Sequence, residues 1–149
     1  MAFTTLRRCP SCRANNRVPA AHLADSGRCG ACKAQLSPRG EPIEADSAIL
    51  ESVVHDAKVP ILVDFWATWC GPCRLAAPEI EALAKDMAGR ALVLKVDIDA
   101  HPDLAVPYQV RTVRNFAVFR GGTLFLQRSG VATRWELSRW LEQAGARPV

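Results

Sequence analysis

Long hydrophobic runs are missing from this sequence, and so is any segment that would direct the chain into a membrane. No stretch of the 149 residues approaches the roughly 18 consecutive apolar residues that a membrane-spanning helix requires. The amino-terminal residues MAFTTLRRCPSC have neither an apolar core nor a small-residue cleavage site, so no secretory signal is expected. We therefore predict a cytoplasmic protein without membrane contacts. In that reducing compartment, paired cysteines indicate metal binding or redox catalysis rather than structural disulfides.

Acidic and aromatic residues are both scarce in the first forty residues. That segment holds seven arginines and lysines against Asp25 alone, a formal charge of +6, whereas the remainder of the chain carries −2. Four thiolates around one Zn²⁺ would reduce the charge of the segment to about +4. Such a charge attracts acidic partners, but Phe3 is the only aromatic side chain there on which a base could stack. A nucleic-acid partner is therefore not predicted.

The composition predicts two regions of different character. The first forty residues have little apolar periodicity, and so short a segment normally needs a metal or disulfides to fold. We predict a zinc-binding domain over residues 1–40 and an α/β domain over residues 41–149, with a linker at 37–42. No internal repeat is evident.

Periodicity and capping signals predict the elements of the α/β domain. These are a helix capped by Asp46 or Ser47, a buried strand at 61–66, a helix from about Cys70 to Met87, a buried strand at 91–97, a hairpin at 116–127 and a final helix opened by the capping box Thr133–Glu136. The second helix is expected to kink at Pro78 and to bury a stripe of Leu75, Ile80, Leu83, Ala84 and Met87.

Two of the three Cys-x-x-Cys pairs have the spacing of a zinc site. Cys9 and Cys12 are followed, after sixteen residues, by Cys29 and Cys32. Zn²⁺ takes four tetrahedral ligands, and two pairs on separate turns supply them without strain. We predict one structural zinc ion bound by these four thiolates. The alternative is a switchable pair of disulfides.

The third pair, Cys70 and Cys73, lies where a strand turns into a helix. Unpaired amides at the helix amino terminus would favour the thiolate of Cys70, which is the nucleophilic form. Two intervening residues bring the second sulfur within one helical turn, close enough to form a disulfide. Pro72 lies near the helix start, where it costs no hydrogen bond. Trp69 flanks the pair, which therefore indicates redox chemistry rather than two core cysteines.

The segment from Val63 to Arg74, VDFWATWCGPCR, resembles the active-site segment of thioredoxins. The order of elements over residues 46–145 is also similar to that family. The resemblance implies a thioredoxin fold and a protein-disulfide reductase recharged by a flavin- and NADPH-dependent thioredoxin reductase. Together with the four-cysteine segment, it extends to the zinc-containing bacterial subfamily called thioredoxin 2.

The resemblance also implies roles for individual residues. Cys70 attacks the substrate disulfide, and Cys73 resolves the mixed disulfide. Asp64 helps to take the proton from Cys73. It is a carboxylate in an otherwise apolar strand, and burial should raise its pKa. Lys95 in the neighbouring strand is its partner. The simpler alternative is a plain ion pair that holds the two strands together. Substrate contacts are expected from Trp69, Gly71, Pro72, Val113 and Arg114.

One loop departs from the family pattern. Thioredoxins carry a cis-proline followed by threonine opposite the active site, whereas this chain has Arg114 and Asn115 there. A cis bond before a non-proline residue costs about 2.5–4 kcal/mol, so the Val113–Arg114 bond is expected to be trans. We hypothesise that Arg114 stabilises the Cys70 thiolate and favours acidic substrates.

Two further interpretations follow from this departure. The chain could be a zinc-containing, redox-sensitive chaperone or adaptor with low turnover. Alternatively, a Cys-x-x-Cys pair without its shielding proline could bind zinc or an iron–sulfur cluster that bridges two chains.

Overall fold

The computed structural model describes residues 4–105, 115–130 and 132–147, apart from the side chains at positions 72, 74 and 105. Two small hairpins come first, formed by β1 (Thr4–Arg8) with β2 (Asn15–Pro19) and by β3 (Gly27–Arg28) with β4 (Gln35–Leu36), with a 3₁₀ helix at Ala20–His22 between them. The remaining elements are β5 (Ile43–Glu44), α1 (Ser47–Asp56), β6 (Ile61–Trp66), α2 (Gly71–Asp86), β7 (Leu92–Asp97), α3 (Pro102–Ala105), β8 (Asn115–Arg120), β9 (Thr123–Ser129) and α4 (Arg134–Gln143).

The larger unit is a five-stranded mixed sheet in the order β5-β7-β6-β8-β9. Strands β5, β7 and β6 are parallel, β8 is antiparallel to β6, and β9 pairs antiparallel with β8 in a hairpin. Gly121 and Gly122 form the hairpin turn with φ values of 58° and 84°, a left-handed pair that suits the twist of the flanking strands. The predicted α/β architecture is confirmed.

Helices cover both faces of this sheet because its central strands are apolar on both sides. One face packs on α1 through a cluster that includes Leu50, Val53, Ile61, Val63 and Phe65. The other packs on α2 and α4 through a cluster that includes Leu62, Ile80, Leu83, Val93 and Leu137. Since side chains alternate along a strand, Asp64 and Lys95 belong to the face covered by α2.

The first forty residues share a core with the larger unit. Val18, Ala20 and Leu23, which flank or belong to the 3₁₀ helix, are buried in the same cluster as Leu50 and Val53 of α1. The carbonyl of Leu23 accepts hydrogen bonds from the backbone N–H of Arg39 at 2.9 Å and from the guanidinium of Arg7 at 3.0 Å. The amino-terminal segment is therefore docked on α1 rather than tethered by a free linker.

The helix starts follow the sequence signals closely. The Asp46 side chain accepts the backbone N–H of Ile49 at 2.8 Å, and Thr133 and Glu136 form the predicted capping box of α4. Helix α2 continues through Pro78. The predicted burial of Leu75 is wrong, because its side chain is 82% exposed. Leu75 lies about 140° around the helix axis from Ile80 and about 180° from Ala84, so it is on the face of α2 turned away from the sheet.

Candidate functional site

The third cysteine pair lies where β6 ends and α2 begins. Cys70 is the N-cap of α2, and its backbone N–H donates to the carbonyl of Ala67 at 3.1 Å. Cys70 and Cys73 form a disulfide with their Cα atoms 5.2 Å apart. The backbone N–H of Cys73 donates to the Cys70 sulfur at 3.1 Å. When the pair is reduced, this amide and the helix dipole would stabilise negative charge on Cys70.

The dithiol is buried, and an exposed tryptophan stands beside it. Cys70 is 3% exposed and Cys73 is 9% exposed, whereas Trp69 is 65% exposed. Gly71 has no side chain, and no atom lies within 4 Å of the position that a Cβ would take, so the Gly71 backbone is open to an approaching polypeptide. A partner that reaches the sulfurs must therefore contact this surface.

A row of charged residues crosses three parallel strands behind the dithiol. The register pairs Glu44 of β5 with Lys95 of β7, and Lys95 in turn with Asp64 of β6. The Lys95 ammonium lies 4.7 Å from the centroid of the Trp66 ring and 4.0 Å from a carboxylate oxygen of Glu44. Asp64 is 7% exposed. The structure thus brings together Asp64 and Lys95, as the sequence predicted.

A solvent-filled groove reaches the outer end of this row. It has a volume of about 470 Å³, and Glu44 and Lys95 line it together with Glu81 and Lys85 of α2. The groove connects the half-buried Lys95 to bulk water on the same sheet face as Asp64. Sequence reasoning missed Glu44, because a two-residue edge strand carries no periodic signal.

The predicted substrate loop lies largely outside the described residues. Val113 and Arg114 fall outside them, as does the side chain of Pro72. Asn115, the first residue of β8, is buried, and its side-chain oxygen accepts a hydrogen bond from the amide of Gln127 at 2.9 Å. Asn115 therefore joins β8 to β9.

The other four cysteines converge on one point. Their sulfur atoms all lie within 4.8 Å of one another, and the Cys9–Cys32 and Cys12–Cys29 separations are both 3.6 Å. With Zn–S bonds of about 2.3 Å, a tetrahedral site has sulfur–sulfur edges of about 3.8 Å. The four thiols therefore fit a zinc ion both in number and in spacing.

The two halves of this cluster repeat one local structure. In each half, the backbone N–H of the first cysteine donates to a carbonyl five residues later, and its own carbonyl accepts the N–H four residues later. The partners are Ala14 and Arg13 for Cys9, and Ala34 and Lys33 for Cys29. Arg13 and Lys33 both have φ of 66°. The repeat is visible in the sequence as CPSCRA and CGACKA, so the prediction of no internal repeat is wrong.

Amides directed at the sulfurs prepare them for a cation. The backbone N–H of Cys32 and then the side-chain amide of Asn16 lower the pKa of Cys29 to about 6, and the backbone N–H of Cys12 lowers the pKa of Cys9. At Cys12 a backbone bond from Ala14 also lowers the pKa, but hydrogen bonds to neighbouring sulfurs outweigh it and raise the value to about 11. The raised pKa of Cys12 means that this thiol keeps a proton that a metal ion would displace on binding.

Asn16 links the two halves and was not predicted. Its side-chain oxygen accepts the backbone N–H of Gly30 at 2.9 Å, and its amide lies 3.5 Å from the Cys29 sulfur. Asn16 comes from the first hairpin, whereas Gly30 and Cys29 belong to the second. Asn16 contacts a cysteine of the other hairpin, so its distance from Cys29 along the chain forms no recognisable spacing motif.

Residues 41–143 match the thioredoxin family, and residues 8–34, which include all four converging cysteines, match the zinc-ribbon family described as "Thioredoxin 2, N-terminal". The chain belongs to the thioredoxin family. Thioredoxins are protein-disulfide oxidoreductases, and the bonded Cys70–Cys73 pair fits the redox dithiol of this one. The predicted fold and activity are confirmed.

Relatives of this thioredoxin cover most of its length. Thioredoxin C-3 of Corynebacterium nephridii is 36% identical, over 91% of this chain and 92% of the relative. A solved mutant thioredoxin from Halobacterium salinarum NRC-1 superposes with a TM-score of 0.67 at 31% identity, over 74% of this chain and 96% of the other.

A third relative is a bifunctional thioredoxin reductase/thioredoxin of Mycobacterium leprae, which is 40% identical over 56% of this chain and 18% of its own length. Within the described part of this thioredoxin, no helix is long and apolar enough to cross a membrane.

Proposed function

We propose that this thioredoxin reduces protein disulfides by a two-step exchange in which Cys70 attacks and Cys73 resolves. The thiolate of Cys70 attacks one sulfur of the substrate disulfide and releases the other as a thiolate. The thiolate of Cys73 then attacks the Cys70 sulfur, releases the second substrate thiol and closes the Cys70–Cys73 disulfide. Two electrons pass from the dithiol to the substrate. The observation that carries this order is the position of Cys70 as the N-cap of α2.

Asp64 and Lys95 are proposed to handle the proton of the second step. Cys73 must lose its proton before it attacks, and Asp64 is a buried carboxylate on the sheet face covered by α2. Lys95 adjoins it in register and faces the groove to solvent. A carboxylate and an ammonium arranged in this way can accept the proton and deliver it to water.

The partners follow from this chemistry. The disulfide left on the enzyme must be reduced again, and we propose a flavin- and NADPH-dependent thioredoxin reductase in the cytoplasm as the electron donor. The relative in which reductase and thioredoxin are fused supports this assignment. Trp69, Gly71, Pro72, Val113 and Arg114 are proposed to contact the substrate, with Arg114 favouring acidic polypeptides.

The four cysteines of the amino-terminal segment are proposed to bind one structural Zn²⁺. Their sulfur spacing and the lowered pKa values of Cys9 and Cys29 support zinc, and the matching zinc-ribbon family does so independently. Bound zinc would neutralise the negative charge of the thiolates and link the two hairpins through its bonds to sulfur. It takes no part in the disulfide exchange.

Trapping of the mixed disulfide tests the proposed order. Reduced Cys73→Ser should form a stable covalent adduct with insulin, because its remaining thiol attacks but nothing resolves the product. Reduced Cys70→Ser, the matched control, should form little adduct. Mass spectrometry under nonreducing conditions would identify the bonded cysteine. Adducts through Cys73 in place of Cys70 would contradict the order. Little turnover by the wild type, together with noncovalent insulin binding that Cys70→Ser leaves unchanged, would favour an adaptor.

A further inference from the structure

Two large apolar side chains are exposed on α2, whose start carries the dithiol, and on α4, which packs against α2. Leu75 directly follows the first turn of α2, two residues beyond Cys73, and is 82% exposed. Trp135 lies in the first turn of α4 and is 67% exposed. Neither side chain contributes to the core of the described structure. Single exposed apolar side chains are common on protein surfaces, whereas apolar groups that belong to one continuous surface indicate a contact site.

A polar pair joins these two side chains into one surface. Glu79 lies one helical turn beyond Leu75 on the same side of α2. Its carboxylate lies 3.9 Å from the guanidinium of Arg134, which in turn lies 4.6 Å from the ring centroid of Trp135. We call the four residues Leu75, Glu79, Arg134 and Trp135 the α2–α4 strip.

The ion pair within the strip does little for folding. Both side chains are partly exposed, at 53% for Glu79 and 35% for Arg134, and such pairs contribute little net stability. Its geometric effect is larger, because it holds the guanidinium against the indole and limits the positions of both. An ordered Trp and Arg beside an exposed leucine have the composition of an interface anchor, for which these residue types are enriched.

The dithiol determines which partner would cover the strip. Cys70 is 3% exposed, so a polypeptide whose disulfide reaches it must lie close against the first turn of α2. Leu75 is the next residue after that turn, and the strip continues from it through Glu79 to Arg134 and Trp135 of α4. We propose that the α2–α4 strip is a docking surface for the protein substrate, which contacts it through an apolar side chain at each end. This inference rests on the proposed function, since it names a second contact for the same substrate.

The strip should matter for polypeptide disulfides and not for small ones. Leu75→Ala and Trp135→Ala should each slow the reaction of the pre-reduced protein with insulin by about tenfold, as truncation of an interface anchor does. Their rate with oxidised glutathione, a small disulfide without an extended polypeptide to dock, should stay within about twofold of the wild type. Trp135→Phe should recover most of the insulin rate because it restores the apolar ring.

Two other exposed leucines serve as controls. Leu6→Ala in β1 and Leu124→Ala in β9 remove side chains that are 61% and 47% exposed, away from the strip, and should change neither rate. Equal losses with insulin and glutathione in the strip variants would overturn the inference, because they would indicate a disturbed dithiol. Unchanged insulin rates in both strip variants would overturn it as well.

The same measurements separate this inference from the proposed function. If the wild-type protein reduces neither disulfide, the proposed reductase function fails, whatever the variants do. If the wild type reduces both and the strip variants match it, only the docking surface fails. A wild-type dimer on gel filtration that Trp135→Ala converts to a monomer would assign the strip to a second copy of this chain and would overturn the substrate assignment.

Discussion

Asp64 is the residue whose position is hardest to explain by folding alone. It is 7% exposed in a strand whose neighbours are apolar, and a buried carboxylate costs free energy unless it is compensated. The register places Lys95 next to it and Glu44 next to Lys95. A carboxylate–ammonium–carboxylate row across three strands can lower the cost of burial and also pass a proton to the groove at its end.

Asp64→Asn should slow the second step of disulfide exchange and leave the first unchanged. An amide accepts no proton, so Cys73 must lose its proton directly to solvent. General bases typically contribute a hundredfold or more, and since water can substitute in part we expect a loss of at least about tenfold near neutral pH. Rapid acid quenching and mass spectrometry would show the mixed disulfide accumulating.

The control for this substitution is Asp56→Asn at the end of α1, on the opposite face of the sheet, where the carboxylate pairs with His55. It should leave both steps at the wild-type rate. If Asp64→Asn slows both steps equally, Asp64 supports the structure of the site and does not handle the proton.

At the scale of elements, the two amino-terminal hairpins are too small to fold by burial. They contribute a minor cluster of Cys9, Cys29 and Leu36, far less apolar area than a stable domain requires. Each hairpin presents two of the four sulfurs on a turn with the same backbone hydrogen bonds and one residue of positive φ. The Asn16 side chain of the first hairpin accepts a hydrogen bond from the second. The four-cysteine cluster thus connects the two hairpins.

Asn16→Ala should weaken zinc binding without removing a ligand. The substitution leaves the backbone N–H of Gly30 without its acceptor and removes an amide directed at Cys29. Loss of such an outer contact typically costs between about tenfold and a hundredfold in metal affinity. Competition with a chromogenic zinc chelator would measure it. Asn15→Ala, an exposed neighbour in β2, is the control and should bind zinc as the wild type does.

Helix α2 shows where element prediction from the sequence succeeds and where it stops. Its start at about Cys70 followed from the proline near the helix start, and the buried residues Ile80, Leu83, Ala84 and Met87 followed from the helical period. The prediction for Leu75 was wrong because that period itself places Leu75 about 180° around the helix from Ala84, on the face turned away from the sheet. Two-residue strands such as β5 carry too few residues for any period.

At the scale of the whole molecule, the zinc ribbon and the thioredoxin domain are one packed body in the described residues. Val18, Ala20 and Leu23 lie in a cluster with the side chains of α1. The guanidinium of Arg7 fixes the same segment through the carbonyl of Leu23. The shared core means that the two parts influence the stability of each other.

Removal of zinc should therefore affect both parts. With a strong chelator and a reductant present, we expect residues 4–36 to lose hydrogen-exchange protection, because classical zinc sites supply the folding energy of their segment. The thioredoxin domain should remain folded, with its free energy of unfolding lower by about 2–4 kcal/mol as two or three buried side chains leave its core. Urea titration and amide exchange would measure both.

Leu23→Ala with zinc bound provides the matched variant. It should lower the free energy of unfolding by about 2–5 kcal/mol, as core truncations do, while the four ligands stay in place. If chelation leaves the unfolding of the thioredoxin domain unchanged, the ribbon is not coupled to it, and the packing of Leu23 on α1 contributes nothing to stability.

The sequence by itself determined the chemistry of this protein and the kind of fold. Reactive cysteines at fixed spacing, a proline and glycine between them, strand and helix periods and capping residues are all local signals, and they sufficed for the dithiol, the four-cysteine cluster and the α/β order. Tertiary structure alone decided which distant groups meet. Strand order and packing decided three features: the charged row from Glu44 to Asp64, the link from Asn16 to Cys29, and the docking of Leu23 on α1. Each of them couples residues that no local pattern connects.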